Sequence, residues 1–151
     1  MVAPDRPLSA ALPGTWELLS RIDVTDGGER RVDPSLGAEP AAILFYDRSG
    51  HFAAQFMKRD RSAGTVPDTS VAGVNNSRAR DGYDAYFGTY VADDAAGTVT
   101  QHLLGALSAE NVGMVLTRHM QVADDRLTIS LRTSAPSGEP VTRTLVWKRV
   151  G

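Results

Sequence analysis

The chain has 151 residues, 42% hydrophobic and 23% charged, with a formal net charge of −2. One domain with a real core is the economical reading of that length, and so even a charge balance gives no electrostatic reason to expect nucleic acid or an anionic membrane as partner. Cysteine is absent, which excludes disulfides and thiolate metal sites. The three histidines, His51, His102 and His119, are scattered rather than set at ligand spacing, so no metal site is expected.

The first residues, MVAPDRPLSAALPG, lack the basic and then apolar regions of an export signal. No apolar run approaches the roughly 20 residues of a membrane helix. A soluble, cytoplasmic chain is expected, with residues 1–13 as an N-terminal extension that includes a helical turn near Leu8–Leu12, and residues 14–151 as the domain.

From there, short alternating segments separated by turn residues read as strands. They fall at Thr15–Val24, Ala41–Asp47, His51–Lys58, Tyr86–Ala92, Thr98–Leu107, Met114–Ala123, Arg126–Thr133 and Thr142–Val150. Eight strands and little helix predict an all-β, up-and-down antiparallel barrel just wide enough to hold a small ligand. One stretch breaks the rhythm. Residues 58–85, rich in Gly, Pro, Asn, Ser and charge, form a connection long enough to be a lid over one barrel mouth; a floppy insertion is the alternative, and a second helical turn is expected near Arg80–Tyr86.

Three hairpins can be registered by their turns. The turn DRSG, Asp47 to Gly50, sets Tyr46 opposite Phe52, Leu44 opposite Ala54 and Ala42 opposite Phe56, an uncharged face that should point inward. The turn DDAAG, Asp93 to Gly97, places Tyr90 opposite His102 and Gly88 opposite Leu104, although the other parity of these two strands is equally apolar. The two-residue turn Asp124–Asp125 pairs Val122 with Leu127, Met120 with Ile129 and Arg118 with Leu131; the other face carries Gln121, His119 and Thr117 and is plainly wet. A one-residue slip would exchange the faces, so this register directs Arg118 inward.

The segments GTWELLSR, ILFYDRSGHFAAQFM, YDAYFGTYVADDAAGTVTQHLLGAL and LVWKRV resemble the bacterial and fungal lipocalin-like domain family, single-domain and cytoplasmic in type, over Gly14 to Val150. The resemblance implies a calyx-shaped barrel. Related barrels in natural-product pathways include cyclases and isomerases. In the family the position of Gln101 is often a second histidine and that of Leu104 often acidic; this chain has neither, so an acid–base pair there is not carried over.

Arg118 has two readings. It could stack on Trp16 at the barrel floor, a contact that the resemblance assigns rather to Arg149, near the chain's end. Otherwise it reaches into the cavity toward a carboxylate, enolate or carbonyl. No acidic residue shares its inferred face, so water, Tyr, His or the ligand itself would have to compensate it. His102 could move protons near neutrality or simply bond to Tyr90. Tyr46, Phe52, Phe56, Tyr86, Leu104, Leu116, Met120, Ile129 and Leu131 are core and pocket lining at once.

Nucleophile-elbow, phosphate-loop, dinucleotide and zinc-helix motifs are all missing, and no cofactor is expected. The favoured function is a cofactor-free cyclase or isomerase acting on a mostly apolar, carbonyl- or carboxylate-bearing molecule, with Arg118, His102 and Tyr90 as the catalytic group. The alternatives are a non-catalytic carrier of such a molecule and a barrel filled by its own side chains.

Overall fold

The computed structural model describes residues 6–61 and 76–151. A single turn of helix, α1 (Leu8–Ala11), leads into strands β1 (Gly14–Thr25), β2 (Arg30–Arg31), β3 (Ala41–Tyr46), β4 (His51–Met57) and β5 (Tyr83–Asp93). The remaining strands are β6 (Thr98–Ala106), β7 (Val115–Ala123), β8 (Arg126–Ser134) and β9 (Pro140–Arg149). All pairings are antiparallel between sequence neighbours, except that β3 skips the two-residue β2 to pair with β1 and that β9 returns to β1. The result is the eight-stranded up-and-down barrel expected, with β2 as a short addition to the edge of β1. The turn at 80–86 is not helical: Arg80 and Tyr83 bridge each other and β5 begins at once.

Local turn chemistry set two registers as read. Tyr46 pairs with Phe52, Leu44 with Ala54 and Ala42 with Phe56, around a turn in which Gly50 takes the left-handed φ of 92°. Val122 pairs with Leu127 and Met120 with Ile129, with Asp124 at φ 53°. The ladder starts at His119 and Ser130, so the pairing of Arg118 with Leu131 does not form.

The middle hairpin differs from expectation by one residue. Asp93 pairs with Thr98 around a four-residue loop, which places Tyr90 opposite Gln101, Thr89 opposite His102 and Gly88 opposite Leu103. Two irregularities in the sheet have the larger consequences. A bulge between Leu18 and Ser20 switches the parity of β1, so that Trp16 and Leu18 face inward before it, and Arg21 and Asp23 after it. A second, between Phe87 and Gly88, accommodates Leu104 as the extra residue of β6.

One barrel end is closed. Ala11 and Leu12 of the helical turn are buried beneath Trp16, whose indole N–H donates to the Leu12 carbonyl at 3.0 Å. The Arg149 guanidinium lies over the Trp16 ring, 4.3 Å from its centroid. From there it donates to the carbonyls of Pro13 at 3.0 Å and Ala11 at 2.6 Å. This is the contact the family resemblance assigned to the chain's end, and Arg118 takes no part in it. Arg149→Ala removes a cation–π contact and both caps, and should cost about 2 kcal/mol in urea unfolding; Arg149→Lys, which keeps the charge but not the fork, should recover less than half of that.

Candidate functional site

A cavity of about 80 Å³ opens inside the barrel toward the end opposite α1, room for several waters or a small molecule. An aromatic ladder contributed by β3, β4, β5 and β9 backs one wall, with Tyr46, Phe56, Tyr86 and Trp147 at the cavity and Phe52 set behind them. Tyr46 stacks on Phe52 at 6.0 Å, Phe52 meets Tyr86 edge-on at 6.0 Å, Tyr86 lies 6.5 Å from Phe56, and Phe56 meets Trp147 edge-on at 5.7 Å. Ile129, Leu131 and Leu145 supply the aliphatic side.

Arg118 does point into this cavity, as its strand position predicts, and is only 7% exposed. Burial lowers its pKa, the neighbouring Tyr86 and Tyr46 oppose that, and Arg143 adds to it. Burial pushes the Tyr86 phenol up to about 12, with Asp84 adding to the rise and Arg118 and Arg21 opposing it. Tyr46 is raised well above its usual value by burial and by Tyr86. Both phenols are therefore neutral hydrogen-bonding groups at physiological pH.

The expectation that no carboxylate shares the inward face is corrected. Three do: Asp23, Asp33 and Asp84. Asp23 and Arg143 form a buried two-pronged pair at 2.8 and 3.0 Å. Asp33, on the segment after β2, accepts from Arg143 at 3.2 Å and from Arg21 at 3.0 Å. Burial would raise Asp33, but Arg21 and Arg143 outweigh it and hold the carboxyl below its usual range. Arg21 is lowered, first by burial and then by Arg143. Asp84 is different in kind. Burial raises its pKa to about 6, against a hydrogen bond from the Ser77 hydroxyl at 2.7 Å, the pull of the adjacent Ala85 backbone N–H and the more distant charge of Arg21.

The residues leading into β5 are tied down from below. The buried Asn111 side chain accepts from the Arg78 backbone N–H and donates to its carbonyl, both at 3.0 Å, and the Ser108 hydroxyl donates to the same carbonyl at 3.0 Å. That anchoring sets Asn76, Ser77 and Ala79 on the cavity wall. The central part of the expected lid, residues 62–75, lies outside the described residues.

Of the expected lining residues, Tyr46, Phe56, Tyr86, Ile129 and Leu131 border the cavity. Phe52, Leu116 and Met120 are buried inside the barrel without bordering it. Tyr90 also faces in, but its hydroxyl donates to the Asp47 carbonyl at 2.5 Å at the turn end of β3, away from Arg118. Two placements are corrected by the one-residue shift in register. His102 is exposed on the outer face, and Leu104 is 60% exposed there; Gln101 and Leu103 take the inward positions. The grouping of Arg118 with His102 and Tyr90 therefore does not assemble. His51 and His119 lie outside, as read.

Asp84 carries a readable signal: β5 begins at Tyr83, three residues before the expected start, and Asp84 stands two residues before Tyr86 and four before Gly88 on the same period-two face. Trp147 and Arg143 share a face with Leu145 on β9 in the same way. Arg21 and Asp23 had no local signal, because only the bulge turns them in. Among the described residues no cluster of His, Cys, Asp and Glu could hold a metal ion, and no helix is long and apolar enough to cross a membrane.

No curated protein is significantly similar to this chain. The family model described as a lipocalin-like domain matches residues 13–150, which spans the barrel from the start of β1 to the end of β9. The closed barrel, the inward aromatic wall and the match over nearly the whole length agree: the chain belongs to the lipocalin-like domain family.

Proposed function

We propose that this protein binds a small, largely apolar or amphipathic molecule carrying a carbonyl or carboxylate oxygen, which Arg118 grips inside the barrel. The observation that carries the reading is a guanidinium at 7% exposure set into a cavity whose lining combines an aromatic and aliphatic wall with buried polar groups such as Asp84 and Gln101. Its planar fork suits oxygen anions and carbonyls, and charge-assisted bonds are strong where water is excluded. The ladder from Tyr46 to Trp147 offers ring faces to a flat ligand body.

The test is titration with benzoate, cinnamate and aryl ketones, followed by thermal shift and by tryptophan fluorescence in a Trp16→Phe background that leaves Trp147 as the emitter. A ligand of the native state must raise the unfolding temperature. Arg118→Ala should weaken carboxylate binding about thirtyfold or more while the circular dichroism of the barrel is retained. Equal affinity in wild type and variant would refute the grip.

A second reading, a cofactor-free cyclase or isomerase of natural-product biosynthesis, draws support from the raised pKa of Asp84. A carboxyl near pH 6 exchanges protons efficiently close to neutrality, and Arg118 would stabilise the enolate that forms. With His102 outside the barrel, the proton would pass through Asp84 instead. Exchange of the α-proton of a bound aryl ketone in deuterated water separates the readings: acceleration that Asp84→Asn abolishes supports catalysis, and unchanged exchange leaves binding alone.

A further inference from the structure

Two buried side-chain polar atoms have no partner at hydrogen-bonding geometry among the described residues: Oδ1 of Asp84 and Nε1 of Trp147. The adjacent Ala85 N–H lowers the Asp84 pKa, but as a neighbour in the chain it is poorly aligned to satisfy a buried carboxylate oxygen. Both residues border the same cavity. Asp84 is 4% exposed and Trp147 1%. They come from β5 and β9, which β1, β3 and β4 separate in the sheet, and Phe56 of β4 joins them across the interior: it pairs with Asp84 in the ladder, and its ring stands edge-on 5.7 Å from Trp147. An orphaned buried polar group is costly, and two on one wall of one cavity are unusual in a native fold. One is an acceptor when ionised and the other can only donate.

We infer that the site is built for a hydroxylated ligand, with a hydroxyl or phenol donating to Oδ1 of Asp84 and a ligand oxygen accepting from Nε1–H of Trp147. The assignment rests on the proposed binding role of this cavity and narrows its ligand class: hydroxyaryl or hydroxyalicyclic carbonyl compounds rather than plain fatty acids. Arg118 then holds the carbonyl or carboxylate, the aromatic ladder takes the ring, and Asp84 reads the hydroxyl. Ser77 fixes the other carboxylate oxygen of Asp84 at 2.7 Å, so Oδ1 is already oriented before the ligand arrives. A pocket with a committed buried acceptor discriminates sharply against an analogue that lacks the matching donor, because that analogue leaves the acceptor unpaired.

Matched probes make the test direct: the three hydroxybenzoates, their methyl ethers, and benzoate, titrated by calorimetry at pH 7.5 into wild type, Asp84→Leu, Asp84→Asn and Trp147→Phe. At least one hydroxybenzoate should bind the wild type about tenfold or more tightly than its methyl ether. Asp84→Leu should erase that preference, Asp84→Asn should reduce it, and Trp147→Phe should weaken the hydroxy compound while keeping its preference over the ether. Carbon-13 NMR of the Asp84 carboxyl in the wild type adds a readout that needs no variant. A hydroxybenzoate should lower its titration midpoint, since a donor favours the ionised form, whereas the ether should not. If hydroxy and methoxy compounds bind alike and the Asp84 midpoint does not move, this inference fails while the Arg118 grip stands. If no probe of either kind binds, both fail together.

Discussion

Arg143→Ala is expected to be the most damaging single substitution in this barrel, costing about 3–5 kcal/mol. Arg143 and Asp23 are 6% and 4% exposed and meet through two hydrogen bonds of 2.8 and 3.0 Å. Truncating the arginine leaves the Asp23 charge buried without that partner, whereas Asp33 keeps Arg21 at 3.0 Å. The loss is therefore mostly the penalty of a stranded charge, not the net worth of the pair. The double variant Asp23→Leu/Arg143→Met removes both charges at similar volume and should recover most of the stability. Urea unfolding of the wild type, the single variant and the double variant at pH 7 decides this. A single-variant loss under about 1 kcal/mol would mean that water screens the network. The pH dependence has a definite sign. The folded carboxyl of Asp33 lies below its usual value because of Arg21 and Arg143. Its contribution is thus present above the unfolded carboxylate range, about pH 4, and is lost as pH falls through the folded value. The wild type should lose its advantage over variants lacking Arg143 in that acidic window.

Gly88→Ala is expected to follow closely, at about 3 kcal/mol or more. An added Cβ would stand 1.7 Å from the His102 carbonyl oxygen, 2.9 Å from its carbon and 3.0 Å from the Leu104 amide nitrogen. These are backbone atoms of β6 at the bulge, so no side chain can swing aside. Either β5 and β6 part or the bulge is rebuilt, and both disturb the strand that carries Tyr86 and Asp84. Hydrogen exchange should quicken along β5 and β6 while β7 and β8 stay protected. Gly105→Ala is the instructive contrast. The atoms nearest its Cβ would belong to the ring of Phe87, from 2.3 Å, and that ring is 56% exposed, with solvent into which it can turn. The cost there should be below about 1 kcal/mol, which thermal unfolding can distinguish from the loss at Gly88.

The parts of the fold that local chemistry controls were legible. Gly50 and the pair Asp124–Asp125 close their hairpins within a few residues, so the register of β3–β4 and of β7–β8 follows from the turn and the alternation beside it. The inward aim of Arg118 belongs to that class. Asp84 was half legible: its face repeats that of Tyr86, but β5 starts at Tyr83 only because Met57 of β4 is there to pair with it. The lining residues on β3, β8 and β9 were readable from alternation for the same reason that Arg118 was.

What the sequence by itself determined, then, is an all-β chain of alternating strands with an arginine turned inward on β7. The tertiary structure alone decided which charges share the interior with it. Period-two alternation is a local rule, and it holds only until a strand gains a residue that its neighbour lacks. Closing a barrel requires its strands to bend, and here the bends fall at Leu18–Ser20 and at Phe87–Gly88, where the opposing strands dictate them. Each bend reverses which side chains face in. One brings Arg21 and Asp23 into the interior; the other lies in the hairpin whose short loop leaves His102 in solvent. Alternation within β1 does not record its reversal, because the extra residue shows only against β9, more than 100 residues away in the chain, whereas Gly88 leaves a trace of the second.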